Sequence, residues 1–229
     1  MIEKSAIDFA RPIPLFPLPN CILLPHATIP LHIFEPRYRQ LLADALDSNG
    51  LIAMSVFDGE DWKSDYQGTP PLRPDVCVGY VIRHEKVADG RSNLLLQGLC
   101  RARIEKEVQH QPYRIAFLKP TEPQPPMEID LSECRERIEA LLNDPLLKQL
   151  AAISAIYNWL SAEIPTTALV DLAFMRLCSD SEKRYAMLAE PDACARATQL
   201  EEMLHSTRRT LKIAQRYGCA QTADGACLN

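Results

Sequence analysis

Glycine is scarce in this 229-residue chain, 8 residues against 18 prolines. No Gly-x₄-Gly-Lys-Ser/Thr run occurs, so no P-loop is available to cradle a nucleoside triphosphate. Gly-x-Ser-x-Gly and Ser-x-x-Lys are absent too, which removes the serine-hydrolase elbow and the Ser–Lys signature. His84-Glu85 opens like a zinc-protease motif, but position 88 is Ala and the second histidine ligand is missing. The eight cysteines, at 21, 77, 100, 134, 178, 194, 219 and 227, form no Cys-x-x-Cys pair and have no His-x₃₋₅-His companion. They are expected to be free thiols in a reducing, cytoplasmic compartment, with no metal and no cofactor. Cys219 and Cys227, in the tail, are the pair with most room to move. A basic surplus is also lacking: the formal charge is −5, which argues against bulk attraction to nucleic acid. The one dense basic run, Arg208-Arg209-Thr210-Leu211-Lys212 with Arg216, reads as a solvated helix end.

Long unbroken apolar runs are missing as well. The most apolar segment, Leu15-Phe16-Pro17-Leu18-Pro19-Asn20 to "IPLHIFEPRYRQLL", carries prolines at 14, 17, 19, 25, 30 and 36. They break every candidate membrane helix before it could span a bilayer. No basic stretch feeds a clean apolar core, and no small-residue cleavage site follows, so no secretion signal is read. What remains is a set of short strands and tight turns laid against a core.

Two textures divide the chain. Up to about residue 119 it is strand-like. Leu51–Phe57 is a short apolar run after Asn49-Gly50. Cys77–His84 and Asn93–Leu96 flank Asp89-Gly90, a strong hairpin signal. Leu99–Glu107 alternates, with Cys100, Ala102 and Ile104 on one face and Arg101, Arg103 and Glu105 on the other. Tyr113–Leu118 is a further strand. One helix interrupts this half, opening at Glu35-Pro36 and running through Leu41, Leu42, Ala45 and Leu46. The proline-rich stretch from Pro120 to Pro126 then marks a boundary. Everything beyond it is helical. Asp130 and Glu133 resemble a capping box opening a helix with Leu131, Cys134, Ile138, Leu141 and Leu142 inward. A second helix starts at Asp144-Pro145, with Leu146, Leu147, Leu150, Ile153, Tyr157 and Leu160 inward. Thr166–Cys178, Ser181–Ala189 and Asp192–Tyr217 follow, the last with Gly218 as its C′ residue. The expected organisation is residues 1–121 as a β domain and 128–229 as an α-helical bundle.

The opening segment closely resembles the signature of the substrate-binding, N-terminal domain of ATP-dependent Lon proteases. The resemblance rests on Leu15 to Leu18, Leu24-Pro25, Pro30 to Tyr38 and Leu41-Leu42. The run from Leu94 to Ile104 resembles that family's later strands, and Lys183, Leu188, Arg196 and Leu200 resemble its C-terminal part. The resemblance implies an α+β fold: a PUA-like mixed β pseudo-barrel followed by a C-terminal helical bundle. The ATPase and Ser–Lys peptidase domains of a complete Lon protease do not occur within these residues. Between Phe57 and Cys77, Trp62, Tyr66, Gly68, Pro70 and Pro71 resemble an insertion of single-domain members.

The resemblance therefore implies a non-enzymatic module that recognises unfolded or apolar polypeptide or a protein partner, while the cysteines and the proline-broken apolar runs make it cytoplasmic and non-membrane by expectation. A PUA-like RNA binder is the alternative, carried by Arg101 and Arg103 if both face outward. Candidate binding residues are Phe34, Glu35, Arg37, Tyr38, Trp62, Tyr66, Arg101 and Arg103, with no catalytic or metal residue. Each has a structural reading beside it. Glu35 and Arg37 suit an ion pair or a cap at a helix start. His32, Phe34 and Tyr38 suit a core. Trp62 and Tyr66 sit in the Asp58–Pro74 loop, which either folds back on the barrel or meets a partner.

Overall fold

The computed structural model describes residues 7–66, 68–108, 112–122, 124, 126–160 and 164–217, without the side chains of 157–160. Six strands form one mixed sheet: β1 (Ile13–Pro17), β2 (Thr28–Ile33), β3 (Leu51–Ser55), β4 (Asp75–Lys86), β5 (Ser92–Val108) and β6 (Arg114–Pro120). Their order is β2-β5-β4-β3-β1-β6, and a further pairing of β5 with β6 closes the ring. Only β1 and β3 run parallel, with Leu15 opposite Ala53.

β5 makes the closure possible. One edge pairs with β4 for most of its 17 residues. The other edge is shared, with Ser92 to Gln97 taken by β2 and Ala102 to Val108 by β6. Asn93–Leu96 and Leu99–Glu107, two strands by pattern, are thus one continuous strand that bends at register shifts. At the changeover the proline-rich segment crosses β5. His26 N–H donates to the Gly98 carbonyl and Gly98 N–H to the Ala27 carbonyl, both at 2.8 Å. A Cβ on Gly98 would lie 2.3 Å from the Leu24 carbonyl oxygen, so only glycine fits this crossing. Leu23 and Leu24 become fully buried there. The barrel is filled by Ile13, Leu15, Leu51, Ala53, Val76, Val78, Cys100, Ala102, Ala116 and Leu118.

The helices are α1 (Pro36–Asp47), α2 (Ser132–Leu142), α3 (Ala151–Leu160), α4 (Thr166–Leu177), α5 (Ser181–Ala189) and α6 (Ala193–Arg216). α1 starts with proline in its first turn and buries Tyr38, Leu41, Leu42 and Ala45; Leu46 is exposed instead. Asp180 and Asp192 cap α5 and α6 through their side chains. The Asp130/Glu133 capping box does not form: Asp130 lies in a 3₁₀ turn and α2 has no side-chain cap. Likewise Leu147–Gln149 is a separate 3₁₀ turn before α3. Gly218, Cys219, Cys227 and the side chains of Tyr157 and Leu160 lie outside the described residues.

Two compact units result, Met1–Pro125 with Phe174–Pro191, and Pro126–Ala173 with Asp192–Asn229. α5 belongs to the first because polar contacts tie it to the barrel. Tyr185 Oη accepts from Asp75 N–H at 2.9 Å, and Arg101 donates to the Met187 carbonyl at 3.3 Å. In the second unit α2 and α6 are bridged by Arg137 and Glu201 at 3.0 Å. Glu128 caps α4 by accepting from the Thr166 N–H and hydroxyl. Arg196 and Asp171 form a buried pair at 3.8 Å, each 1% exposed. Removing one partner of such a pair leaves a charge without its counterion, at a cost of about 3–5 kcal/mol. Asp171→Ala should lower the urea midpoint accordingly, and Asp171→Leu with Arg196→Met should recover much of the loss.

Candidate functional site

The eight candidate residues lie in the first unit, five of them together, Phe34 apart beside His32, and Arg101 and Arg103 in a separate network. Glu35, Arg37, Tyr38, Trp62 and Tyr66 come together. Glu35 at the start of α1 accepts from Arg37 Nε at 3.1 Å and from Tyr66 Oη at 2.8 Å. The Arg37 guanidinium lies over both the Tyr38 and Tyr66 rings, 4.6 and 4.7 Å from their centroids. Tyr38 is buried edge-on against Phe16 at 4.5 Å. Glu35 thus ties the helix start to the 58–74 loop across 31 residues of sequence.

The loop is held at a second point by Phe57, which the sequence pattern placed only at a strand end. Trp62 stacks on Phe57 at 5.6 Å with an interplanar angle of 15°, and Tyr66 meets both rings edge-on. Trp62 and Tyr66 are half-buried, so the loop folds back while still presenting aromatic surface. A backbone pair closes its neck, with Asp58 N–H donating to the Pro71 carbonyl and Arg73 N–H to the Val56 carbonyl, both at 2.9 Å. Between loop and barrel lies a cavity of about 430 Å³ lined by Pro19, Asn20, Phe57, Asp58, Trp62 and Arg73 among others.

Phe34 is not core. It is 59% exposed, stacked on His32, which is itself exposed and hydrogen-bonded to Asn93 at 2.7 Å. The reason is that β2 alternates, Ile29 and Ile33 facing the core, while nothing among the described residues covers its other face or the residue after it. On the outer face of β2, β5 and β4 a shallow groove of about 420 Å³ runs over Pro30, Leu31, His32 and Leu95. Ile82, also on β4, is 46% exposed.

Arg101 and Arg103 join a different network; Arg103 is exposed as its alternation implies, but Arg101 is not, so the two form no outward basic stripe. Arg101 is 1% exposed because α5 covers that face of β5; its guanidinium sits 3.9 Å from Glu122. Arg103 grips Asp75 through two nitrogens at 2.9 and 3.2 Å. Next to it Arg73 lies 3.4 Å over the Tyr185 ring and forks onto Glu182. Neither Arg73 nor Tyr185 carried a signal in the sequence, since their meeting spans more than 100 residues.

Burial pushes the Tyr38 hydroxyl well above the ordinary tyrosine range, against the opposing pull of Arg37. Burial, then the hydrogen bond to Glu35, raises Tyr66 in the same direction. A raised tyrosine value favours the neutral phenol in the folded state. Its stabilisation is whole below the unfolded value of about 10 and is lost as pH climbs through the higher folded value. Thermal stability should therefore fall above roughly pH 10, and Tyr38→Phe should flatten that alkaline slope.

The chain belongs to the ATP-dependent protease La (LON) substrate-binding domain family, whose model matches residues 12–206. It is similar to the Lon protease of Desulfosudis oleivorans, 26% identical over 213 residues, covering 89% of this chain and 25% of that protein. It is also similar to Lon protease 2 of Myxococcus xanthus, 23% identical over 235 residues, covering 96% of this chain and 26% of the relative. The chain thus spans about a quarter of the length of these relatives. The N-terminal domain of the Mycobacterium avium complex Lon protease shares the fold, with a TM-score of 0.65 at 16% identity, over 85% of this chain and 98% of that one. A Lon N-terminal domain protein from Xanthomonas campestris gives 0.57 at 21% identity, over 83% of this chain and 96% of that one. No helix among the described residues is long and apolar enough to cross a membrane.

Proposed function

We propose that this chain is a non-catalytic, cytoplasmic recognition module that binds unfolded or apolar polypeptide segments through its barrel unit. The observation that carries the reading is its membership of a substrate-binding family over residues 12–206. The surface chemistry supports it. Trp62 and Tyr66 offer broad aromatic contact with few rotors to immobilise, on a loop fixed at Glu35 and Phe57. Phe34 stands exposed one residue before Glu35. Glu35, Arg37 and Tyr38 position the loop from beneath, while Phe34, Trp62 and Tyr66 contact the client. Burial of Arg101 takes away one of the two cations on which an RNA-binding reading rested, and the other, the exposed Arg103, is already paired with Asp75.

Fluorescence anisotropy with a labelled unfolded polypeptide and a labelled single-stranded RNA tests this. Polypeptide binding that changes little from low to high salt, with no comparable RNA binding, is expected. Tight RNA binding that collapses with salt would contradict the reading. Trp62→Ala should weaken polypeptide binding by about 2 kcal/mol, roughly thirtyfold. A drop in melting temperature with unchanged affinity would assign Trp62 a purely structural role.

A further inference from the structure

The charges around the loop cavity do not balance, and the imbalance has a sign. Three carboxylates line it, Asp58, Glu60 and Glu182, against two cations, Lys63 and Arg73. Both cations are already committed. Lys63 Nζ sits 2.7 Å from Glu60, and Arg73 is forked onto Glu182 with its guanidinium plane against Tyr185. The Asp58 carboxylate makes no hydrogen bond or ion pair among the described residues, although the Asp58 backbone is fixed by its bond to Pro71. The indole that forms part of the wall is Trp62, the aromatic side chain whose face attracts cations most strongly.

We propose that this cavity is a pocket for one basic side chain, an arginine or lysine, of the bound polypeptide. The inference rests on the polypeptide-recognition reading and names what that reading leaves open, a charge preference in an otherwise apolar contact. A cation entering here would pair with Asp58 and lie against Trp62. Its aliphatic stem would run along Pro19, as long basic side chains do over apolar surface. A carboxylate would instead meet Asp58, with no cation left uncommitted to offset it. An apolar side chain would remove water from Asp58 and return no partner. The cavity, about 430 Å³, has room for one long side chain and the backbone that carries it. Arginine should be preferred to lysine, because a planar guanidinium can stack on the indole and fork onto a carboxylate together.

The test uses the intact chain and a series of extended host peptides that differ at one central position: arginine, lysine, citrulline, glutamate or leucine. Citrulline keeps the shape of arginine and removes its charge. We expect the arginine peptide to bind about tenfold more tightly than the citrulline one, with glutamate weakest. Asp58→Asn should bring the arginine-to-citrulline ratio toward one, and Asp58→Lys should reverse the order of arginine and glutamate. Asp58 is exposed, so both variants should keep the parent melting temperature. Equal binding of arginine and citrulline peptides, or a ratio unmoved in Asp58→Asn, would overturn the pocket and leave polypeptide recognition standing. Failure of every peptide to bind would overturn both.

Discussion

The fold depends on one strand being shared. β5 gives its first half to β2 and its second half to β6 along the same edge, while β4 holds the other edge. On that edge the two partners leave a gap between Gln97 and Ala102 of this 17-residue strand. The proline-punctuated segment before β2 fills it, crossing at Gly98, where backbone meets backbone too closely for any side chain. The prolines keep that segment extended and unable to coil into helix. The apolar residues between them, Leu23 and Leu24, pack with nothing left exposed. Closure of the barrel leaves β2 as its free edge, with Phe34 and the groove beside it in solvent.

From that geometry the proposed recognition face follows. β2 delivers the chain to Glu35, and the proline at 36 starts α1 there, so the Glu35 side chain is available to hold Arg37 and Tyr66. An ion pair at the surface contributes little by itself. Here the pair is about four-fifths buried and shares its carboxylate with a phenol and its guanidinium with two rings, which restrains a loop of more than a dozen residues. Pre-ordering of this kind lowers the entropy lost when a flexible client is captured. In the proposed reading the same loop, roofing a cavity whose free charge is negative, would add selectivity to an otherwise permissive apolar contact.

Local chemistry made part of this legible in the sequence. Asp89-Gly90 marked the β4–β5 hairpin, Glu35-Pro36 the start of α1, Asp192 the start of α6, and the strand-then-helix texture the α+β class. The opening signature led to the family. Features set by long-range contact were not legible. Alternation along β5 put Arg101 outside, but α5, some 86 residues later, covers that face and accepts its hydrogen bond through the Met187 carbonyl. Gln97 and Gly98 carry no apolar side chain, so one strand read as two although burial alternates straight through them. Phe34 and His32 read as core because they are embedded in an apolar run; the uncovered outer face of β2 reverses that. Of the candidate site, Glu35, Arg37, Tyr38, Trp62 and Tyr66 do converge. Phe57, which joins Trp62 and Tyr66, was hidden as an ordinary strand-end aromatic, and Asp58 as an ordinary loop acid.

Hydrogen exchange with and without a saturating unfolded polypeptide reports where the client sits on the barrel unit without any substitution. Slowed exchange is expected in the 58–74 loop and at the end of β2 around Phe34, with the amides of β3 and the barrel core unchanged. Protection confined to the second unit, or none anywhere under saturating polypeptide, would contradict recognition through the barrel unit.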